Sequence, residues 1–369
     1  MQVRDIIDLA HDPDCTEVRY QKISLRQKIP VNQPAFLFGA ALPERLRPYL
    51  FDEHEAGPVG VFRVAGGAVS CHGALYYRGT GVFSPSWNLG RGALTFAAGK
   101  SDIKDFSVPT RHIEGALVSL VGPGKTVWGH WLVDFLPRLY TLHIAGYDIY
   151  EQRYLLPRDT PQFAIELLKS LGIGEASLEW FDDVAELVSC DDLIVPTYLR
   201  VGRYFSPLFR EASAFLLQSF AARQPLLPPL SAPRLFITRS GGRPQRVLKN
   251  RDEIETIMAQ RGFTIVDPVK HSISEQIALF TAARQIAGEY GSGLHNCMFS
   301  PAGVMVCALR GTSLHPAFIQ SGLCDVLEQE IGYVLAETPF EAVVQNFSIQ
   351  PDDMKKALDW MDVRMASMT

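Results

Sequence analysis

An α/β fold in two domains is what this sequence predicts, and three observations carry the prediction. The chain has 369 residues, more than the roughly 100–200 usual for one domain. Its C-terminal half alternates short runs of Val, Ile, Phe and Leu with longer amphipathic runs that open on capping residues, as strands alternating with helices do. Between the halves, Gln224-Pro-Leu-Leu-Pro-Pro-Leu-Ser-Ala-Pro233 sets four prolines within ten residues and reads as a linker.

The N-terminal domain is expected over 1–228. Residues 1–115 are rich in Gly, aromatics and turn signals, as in Ala74-Leu-Tyr-Tyr-Arg-Gly-Thr-Gly-Val-Phe83, and read as short strands with irregular loops. Over 116–228 the pattern becomes Rossmann-like: a strand at 116–121, a Gly-Pro-Gly loop, and a helix from about 126 to 143 that Pro137 should kink or shorten. A strand at 154–156, a helix at 161–171 and a strand at 193–196 follow, and the alternation suggests α/β packing.

The C-terminal domain is expected over 229–340. A strand at 234–238 leads to Asn250, which with Glu253 forms a capping box for a helix ending near Gly262. A strand at 263–267 is stopped by Pro268, and Ser272 with Glu275 forms a second box for a helix reaching about Arg284. A strand at 285–288, a glycine-rich turn, a short helix from Leu294 and a strand at 304–309 complete the series. Four strands alternating with three helices through right-handed crossovers give a parallel, Rossmann-like sheet whose ligands gather beyond the carboxyl ends of the strands. Within 341–369, Pro351 to Met361 reads as an amphipathic helix, expected to return to the N-terminal domain.

Composition narrows the function classes. With 47% apolar residues the chain is not disordered, and 35 Lys+Arg against 40 Asp+Glu, a net charge of −5, give no general attraction to nucleic acid or anionic lipid. The uncharged run from Tyr290 to Leu309 is long enough to cross a bilayer, but its glycines, Asn296 and Pro301 make it loop, helix and strand instead. Arg4, Asp5 and Asp8 interrupt any secretory signal, so a cytoplasmic chain is expected. Six scattered cysteines without a CxxC pair or neighbouring histidines read as reduced, apolar thiols, and no metal site is expected.

Three constellations carry chemistry. Arg239-Ser-Gly-Gly-Arg-Pro-Gln-Arg-Val-Leu-Lys-Asn-Arg251 gathers Arg239, Arg243, Arg246, Lys249 and Arg251 without an acid just past a strand end, and guanidinium forks on a flexible loop suit a diphosphate. Gly288-Glu-Tyr-Gly-Ser-Gly-Leu-His-Asn296 is a βα turn that allows close backbone approach and opens a helix toward an anion. It is neither a dinucleotide fingerprint, with Asn296 where the third glycine belongs, nor a nucleophile elbow. In Gly129-His-Trp-Leu-Val-Asp-Phe-Leu-Pro-Arg138, His130 and Asp134 share one helical face with Arg138 a turn further, as a general base and its orienting partner, or either acting alone, would. Gly122-Pro-Gly-Lys-Thr126 looks like the end of a Walker loop but lacks its first glycine and loses an N–H at Pro123. Asp182-Asp183 and Asp191-Asp192 read as solvated turn residues.

Taken in order, the His-Trp-x-x-Asp-x-x-Pro-Arg block at 130–138, the strand with Arg-Ser at 237–240 and its downstream arginines and Asn250, Ile-Ser-Glu-Gln at 273–276, and 288–296 resemble glycosyltransferase family 61, in its bacterial capsular polysaccharide biosynthesis branch. The resemblance spans about 116–310. It implies a GT-B-like fold, two Rossmann-like domains facing across a cleft, and an inverting, metal-independent hexosyl- or pentosyltransferase without a cofactor. Arg239, Arg243, Arg246 and Asn250 would hold the donor's diphosphate side. Glu275, Gln276 and the turn Tyr290, Gly291, Ser292, Gly293, Leu294, His295 and Asn296 would hold ribose, base or sugar. His130 or Asp134 would face the acceptor, and Asp134, ionised at neutral pH, is the expected base. Implied partners are a nucleotide-sugar donor, UDP-linked, and a glycan or lipid-linked glycan acceptor. Peripheral contact with the inner membrane and homo-oligomers are compatible with such an acceptor, although no basic amphipathic segment supports a membrane site. Where relatives commonly carry His in Gly-x-His-Gly, this chain has Tyr290, whose phenol carries no charge at neutral pH. A polysaccharide pyruvyltransferase and a non-catalytic nucleotide- or sugar-binding relative are the alternatives.

Overall fold

The computed structural model describes residues 3–29, 33–70, 73–83, 109–120, 122–223, 233–239, 246–314, 318–342 and 345–367. Most of the proline-rich linker and residues 240–245, Arg243 among them, lie outside the described residues. The chain is α/β and forms two compact units: one of Met1–Gln27, Glu55–Val201 and Ser206–Arg223, the other of Lys28–His54, Gly202–Phe205 and Gln224–Thr369.

The first unit has a mixed sheet. Its parallel part runs Val188–Pro196, Arg111–Ser119, Tyr154–Pro157 and Leu178–Phe181. On the other side of Val188–Pro196 the strands Val59–Ala65 and Ala68–Ser70 pair antiparallel, so only part of this sheet follows the Rossmann-like expectation. Gly66 at φ +65° bulges this edge, and Val59–Ala65 and Ala68–Ser70 continue one another along Val188–Pro196. Pro137 acts as the sequence implies. It lacks an N–H to continue the ladder, and the helix divides into Trp128–His130, a π-turn over Trp131–Phe135 with Leu136 N donating to Trp131 O at 3.0 Å, and Pro137–Ile144. The strand Leu178–Phe181 and the helix Leu208–Arg223 add to the elements anticipated.

The second unit is built on a six-stranded parallel sheet in the order Thr264–Val266, Arg234–Ile237, Gln285–Glu289, Met305–Gly311, Glu330–Ala336 and Leu37–Gly39. From Arg234 onward the strands therefore lie 2-1-3-4-5, a doubly wound order whose switch point falls between Arg234–Ile237 and Gln285–Glu289. The last strand comes from the N-terminal part of the chain: Phe36 packs where an added Cβ on Gly332 would come within 2.3 Å of its ring. Helices Arg251–Gln260 and Ile273–Ala282 connect the first three strands. The final helix, Pro351–Ala366, belongs to this second unit instead of returning to the N-terminal domain. Its apolar face, Met354, Ala357, Leu358 and Met361, closes the core around Phe36, Ile254, Met258 and Val334.

The described cysteines are free thiols, buried except for half-exposed Cys15, and Cys71 lies outside the described residues. Among the described residues no helix is long and apolar enough to cross a membrane.

Candidate functional site

Two of the sequence constellations meet at the switch point of the second unit, where ligands of open α/β sheets bind. Gly288 sets the spacing, since a Cβ there would lie 2.6 Å from Ile237 O. The bend then turns through Tyr290, whose N–H donates to Leu309 O at 2.9 Å, to Gly291, where a Cβ would stand 3.2 Å from Arg239 Nη1. The Arg239 guanidinium thus rests against the bare backbone of the bend. Its Nη1 is buried and has no hydrogen-bond partner among the described residues.

Arg246, at the start of the strand Arg246–Leu248, is half-buried and makes no hydrogen bond or ion pair with a described residue. Burial first, then the positive charges of Arg239 and Arg310, push its pKa down to about 10. Burial also lowers that of Arg239, partly opposed by the charge of Glu289. Glu289 itself is spent: Arg251 donates to it twice, at 2.8 and 3.2 Å. Two half-buried guanidinium groups without a described carboxylate partner make a site for an anion, because a desolvated cation is stabilised by a counter-charge.

Arg310 is the residue that sequence reasoning missed. It ends the strand Met305–Gly311 and is 2% exposed. Nε donates to Gly311 O at 3.0 Å and Nη2 to Ser313 O at 2.6 Å, and the guanidinium lies over the rings of Phe318 and Tyr290 at 3.9 and 4.9 Å. Nη1 is buried without a described partner. The available signal was its place: the first charged residue after the uncharged run from Tyr290 to Leu309, at a strand's carboxyl end.

Other residues expected at the donor frame the bend from within. Asn296 Nδ2 donates to Gln276 Oε1 at 3.0 Å, and Gln276 Nε2 donates to Pro268 O and His271 O. His295 Nδ1 bonds Gln320 Oε1 at 2.9 Å, and Leu294 is in the core. The Tyr290 hydroxyl accepts from Gln320 N at 3.2 Å, and burial raises its pKa, keeping it neutral. The 3-10 helix opens at Ser292, half-buried, and a Cβ on Gly293 would meet Ile237 Cγ2 at 2.9 Å. Glu275 forms the expected box, accepting from Ser272 N and Oγ. Asn250 does not cap its helix. Its amide donates to Ile349 O and Glu253 Oε2 and accepts from Ile349 N, stitching the loop to the chain entering the last helix. Gln276, Asn250 and Asn296 are therefore bound up in structure, unlike Arg239 and Arg246.

The first unit holds the third constellation. Gly124, at φ +83°, makes room for His130, whose ring atoms would lie 2.4 Å from a Cβ there. His130 Nδ1 bonds Asp134 Oδ2 at 2.5 Å, and Arg200 Nη2 donates to the same oxygen at 2.6 Å. Asp134 is 3% exposed; burial pushes its carboxyl up, but the charge of Arg200 and the bonds to His130 and Arg200 outweigh it and hold the pKa below the ordinary value. Asp134 Oδ2, buried between two donors, is placed as a counter-ion, and of the pair it is the His130 side chain that reaches the surface. The His130 side chain is 35% exposed, and its Nε2 has no hydrogen-bond partner among the described residues. With Nδ1 engaged by Asp134, Nε2 is the ring nitrogen open to another partner. Arg138 is fully buried, donating to Pro196 O and Ser119 O beneath Tyr198. Arg200 gave no local sequence signal.

Of the acidic pairs, Asp182 is an exposed turn residue as expected, accepting from Val184 N and Ala185 N, whereas Asp191 and Asp192 lie on the strand Val188–Pro196. Asp183 is buried against Lys125 at 2.6 Å, Asp192 pairs with Arg63, and Asp191 accepts from Gly115 N. Lys125, also bound to Asp159, is thereby unavailable to a phosphate. Among the described residues no group of three or more His, Cys, Asp or Glu is placed to hold a metal ion.

Residues 128–307 match the family model Glycosyltransferase 61, which supports a glycosyltransferase activity; the segment includes His130, Asp134, Arg200, Arg239 and Arg246 and stops short of Arg310. No curated protein matched the chain.

Proposed function

We propose that this chain is an inverting glycosyltransferase that takes a sugar from a nucleotide-sugar donor, UDP-linked, and passes it to a glycan or lipid-linked glycan acceptor in surface polysaccharide biosynthesis. The observation that carries the reading is the pair Arg239 and Arg246, half-buried beside the bend without an ion-pair partner among the described residues, inside the segment that matches the family. Their charge and the backbone of the Gly291 bend favour the oxygen of a departing diphosphate, where negative charge grows as the C–O bond breaks. Cations already in place there cost no reorganisation and are each worth several kcal/mol by comparison with other preorganised sites. On this reading charge neutralisation falls to arginines and needs no metal.

His130 Nε2 takes the proton of the acceptor hydroxyl, Asp134 holds the ring and stabilises the imidazolium, and Arg200 keeps Asp134 ionised. The acceptor oxygen attacks the anomeric carbon from the face opposite the diphosphate, which leaves with the bonding pair. Division of acceptor activation and donor binding between two units is the GT-B mode, and it is part of the proposal.

The test is purified protein with a panel of nucleotide sugars, following donor hydrolysis and transfer. Arg239→Ala and Arg246→Ala, and on the sequence pattern Arg243→Ala, should each lose at least about tenfold in kcat/KM, the loss of one charge-assisted contact. Full activity in Arg239→Ala and Arg246→Ala would overturn the donor assignment. Nucleoside diphosphate binding without turnover on any donor would make the chain a binding protein.

A further inference from the structure

We infer that Arg310 is a positioning residue of the anion site, a third cation whose fixed charge acts across the Tyr290 ring on whatever anion Arg239 and Arg246 hold. The inference rests on the donor site proposed above and concerns a residue outside the segment that matches the family.

Three observations support it. First, Arg310 lies at the carboxyl end of Met305–Gly311, the strand beside Gln285–Glu289, so it belongs to the same edge of the sheet as the bend. Second, its partners are two carbonyls and two aromatic faces, which orient a guanidinium but do not neutralise it. No described carboxylate pairs with it, and Nη1 stays buried and unsatisfied. A full charge buried on such terms is retained against a desolvation penalty that an apolar side chain would avoid. Third, the charge is felt at the site: Arg310 depresses the pKa of Arg246, as Arg239 does. Arg246, repelled by both of the others, and the Nη1 groups of Arg239 and Arg310, without partners among the described residues, are relieved together by one multivalent anion.

The arrangement also explains how a neutral residue serves at position 290. Tyr290 presents one face to Arg310 and takes a backbone hydrogen bond from Gln320, so the ring is a rigid spacer and the charge stands behind it. Through a buried, low-dielectric layer such a charge is screened little by salt.

Inorganic pyrophosphate is the probe, titrated calorimetrically into the full chain, wild type, Arg310→Lys and Arg310→Gln, with thermal unfolding of each variant as a control. The lysine keeps the charge but not the paired bonds to Gly311 and Ser313; the glutamine keeps polarity and loses the charge. Expected is binding by wild type, retention within about threefold in Arg310→Lys, and a loss of tenfold or more in Arg310→Gln, about 1.4 kcal/mol. A folded Arg310→Gln that binds like wild type overturns the inference, as does absence of pyrophosphate binding in wild type. Equal losses in both variants would give Arg310 a purely structural role and also overturn it. Should Arg310→Gln not fold, wild type and Arg310→Lys decide: pyrophosphate must stabilise both far more than nitrate at equal ionic strength, and equal stabilisation refutes the inference. These measurements need no turnover, so failure of sugar transfer is read separately. Transfer unchanged in a folded Arg310→Gln, with pyrophosphate affinity also unchanged, removes Arg310 and leaves the donor reading intact.

Discussion

Replacing Asp134 with Asn tests whether the carboxylate is a buried counter-ion or a base. The side chain keeps its shape, but Arg200, itself 7% exposed, loses the charge that neutralises it. Removing one partner of a buried ion pair costs about 3–5 kcal/mol. In a unit of roughly 150–250 residues that is a fall of about 6–20 °C in Tm. The comparison is made by scanning calorimetry between wild type and Asp134→Asn, so that both groups holding the carboxylate ionised are present. The pH dependence has a definite sign. Burial raises the Asp134 pKa, but Arg200 and His130 together bring it below 3.8. An acid depressed in the folded state contributes stability fully present above its unfolded pKa and lost only as pH falls through the folded value. The gap between the two proteins should therefore hold from pH 7.5 to pH 5 and shrink only below about pH 4. A gap under about 1 kcal/mol at pH 7.5, or one that closes between pH 7 and pH 5, refutes the counter-ion role.

Other outcomes follow from the same geometry. His130→Gln should lower kcat by about 10²–10⁴ while leaving nucleoside diphosphate affinity unchanged, as loss of a general base does; isothermal titration with turnover assays separates the two. Gly291→Ala should fold normally, because φ 162° is extended backbone, yet bind nucleoside diphosphate about tenfold more weakly, since its Cβ would stand 3.2 Å from Arg239 Nη1. Asp325, buried on the helix Ile319–Val326 with no hydrogen bond to either carboxyl oxygen, has its pKa pushed up by burial to about 7 despite the pull of Arg203. A raised acid loses stability as pH climbs from about 4 to about 7, so Asp325→Asn should gain on wild type in chemical denaturation at pH 8 and not at pH 4. Gly332→Ala should cost several kcal/mol, because the methyl would collide with the Phe36 ring at 2.3 Å, and urea unfolding will measure it.

Sequence made the C-terminal strands legible because period, caps and breakers agree there. It did less well where partners come from far along the chain. Asn250 and Ser272 look alike as caps, each with Glu three residues on, and only Ser272 caps its helix. The difference is chemical: an amide offers both donor and acceptor, and the backbone of buried Ile349 engages both, whereas a hydroxyl finds its best partner in the next turn. The same holds for the sites. Arg239, Arg246 and the bend form a pattern in sequence, and His130 with Asp134 form another. Arg200 and Arg310 are single arginines at strand ends, and nothing local marks that one neutralises Asp134 and the other lies over Tyr290. Nor does the sequence tell that the more accessible member of the His130–Asp134 pair is the histidine, because that depends on Arg200 arriving from far along the chain at the same carboxylate oxygen.

The strand Leu37–Gly39 has a consequence for how the molecule is made. Its neighbour in the sheet, Glu330–Ala336, emerges from the ribosome about 300 residues later. At about 5–20 residues per second that is on the order of 15–60 s during which the early segment waits without its pairing partner. A fragment beginning at the proline-rich linker would reach the end of synthesis with a bare, apolar sheet margin where Phe36 belongs, open to association with other nascent chains.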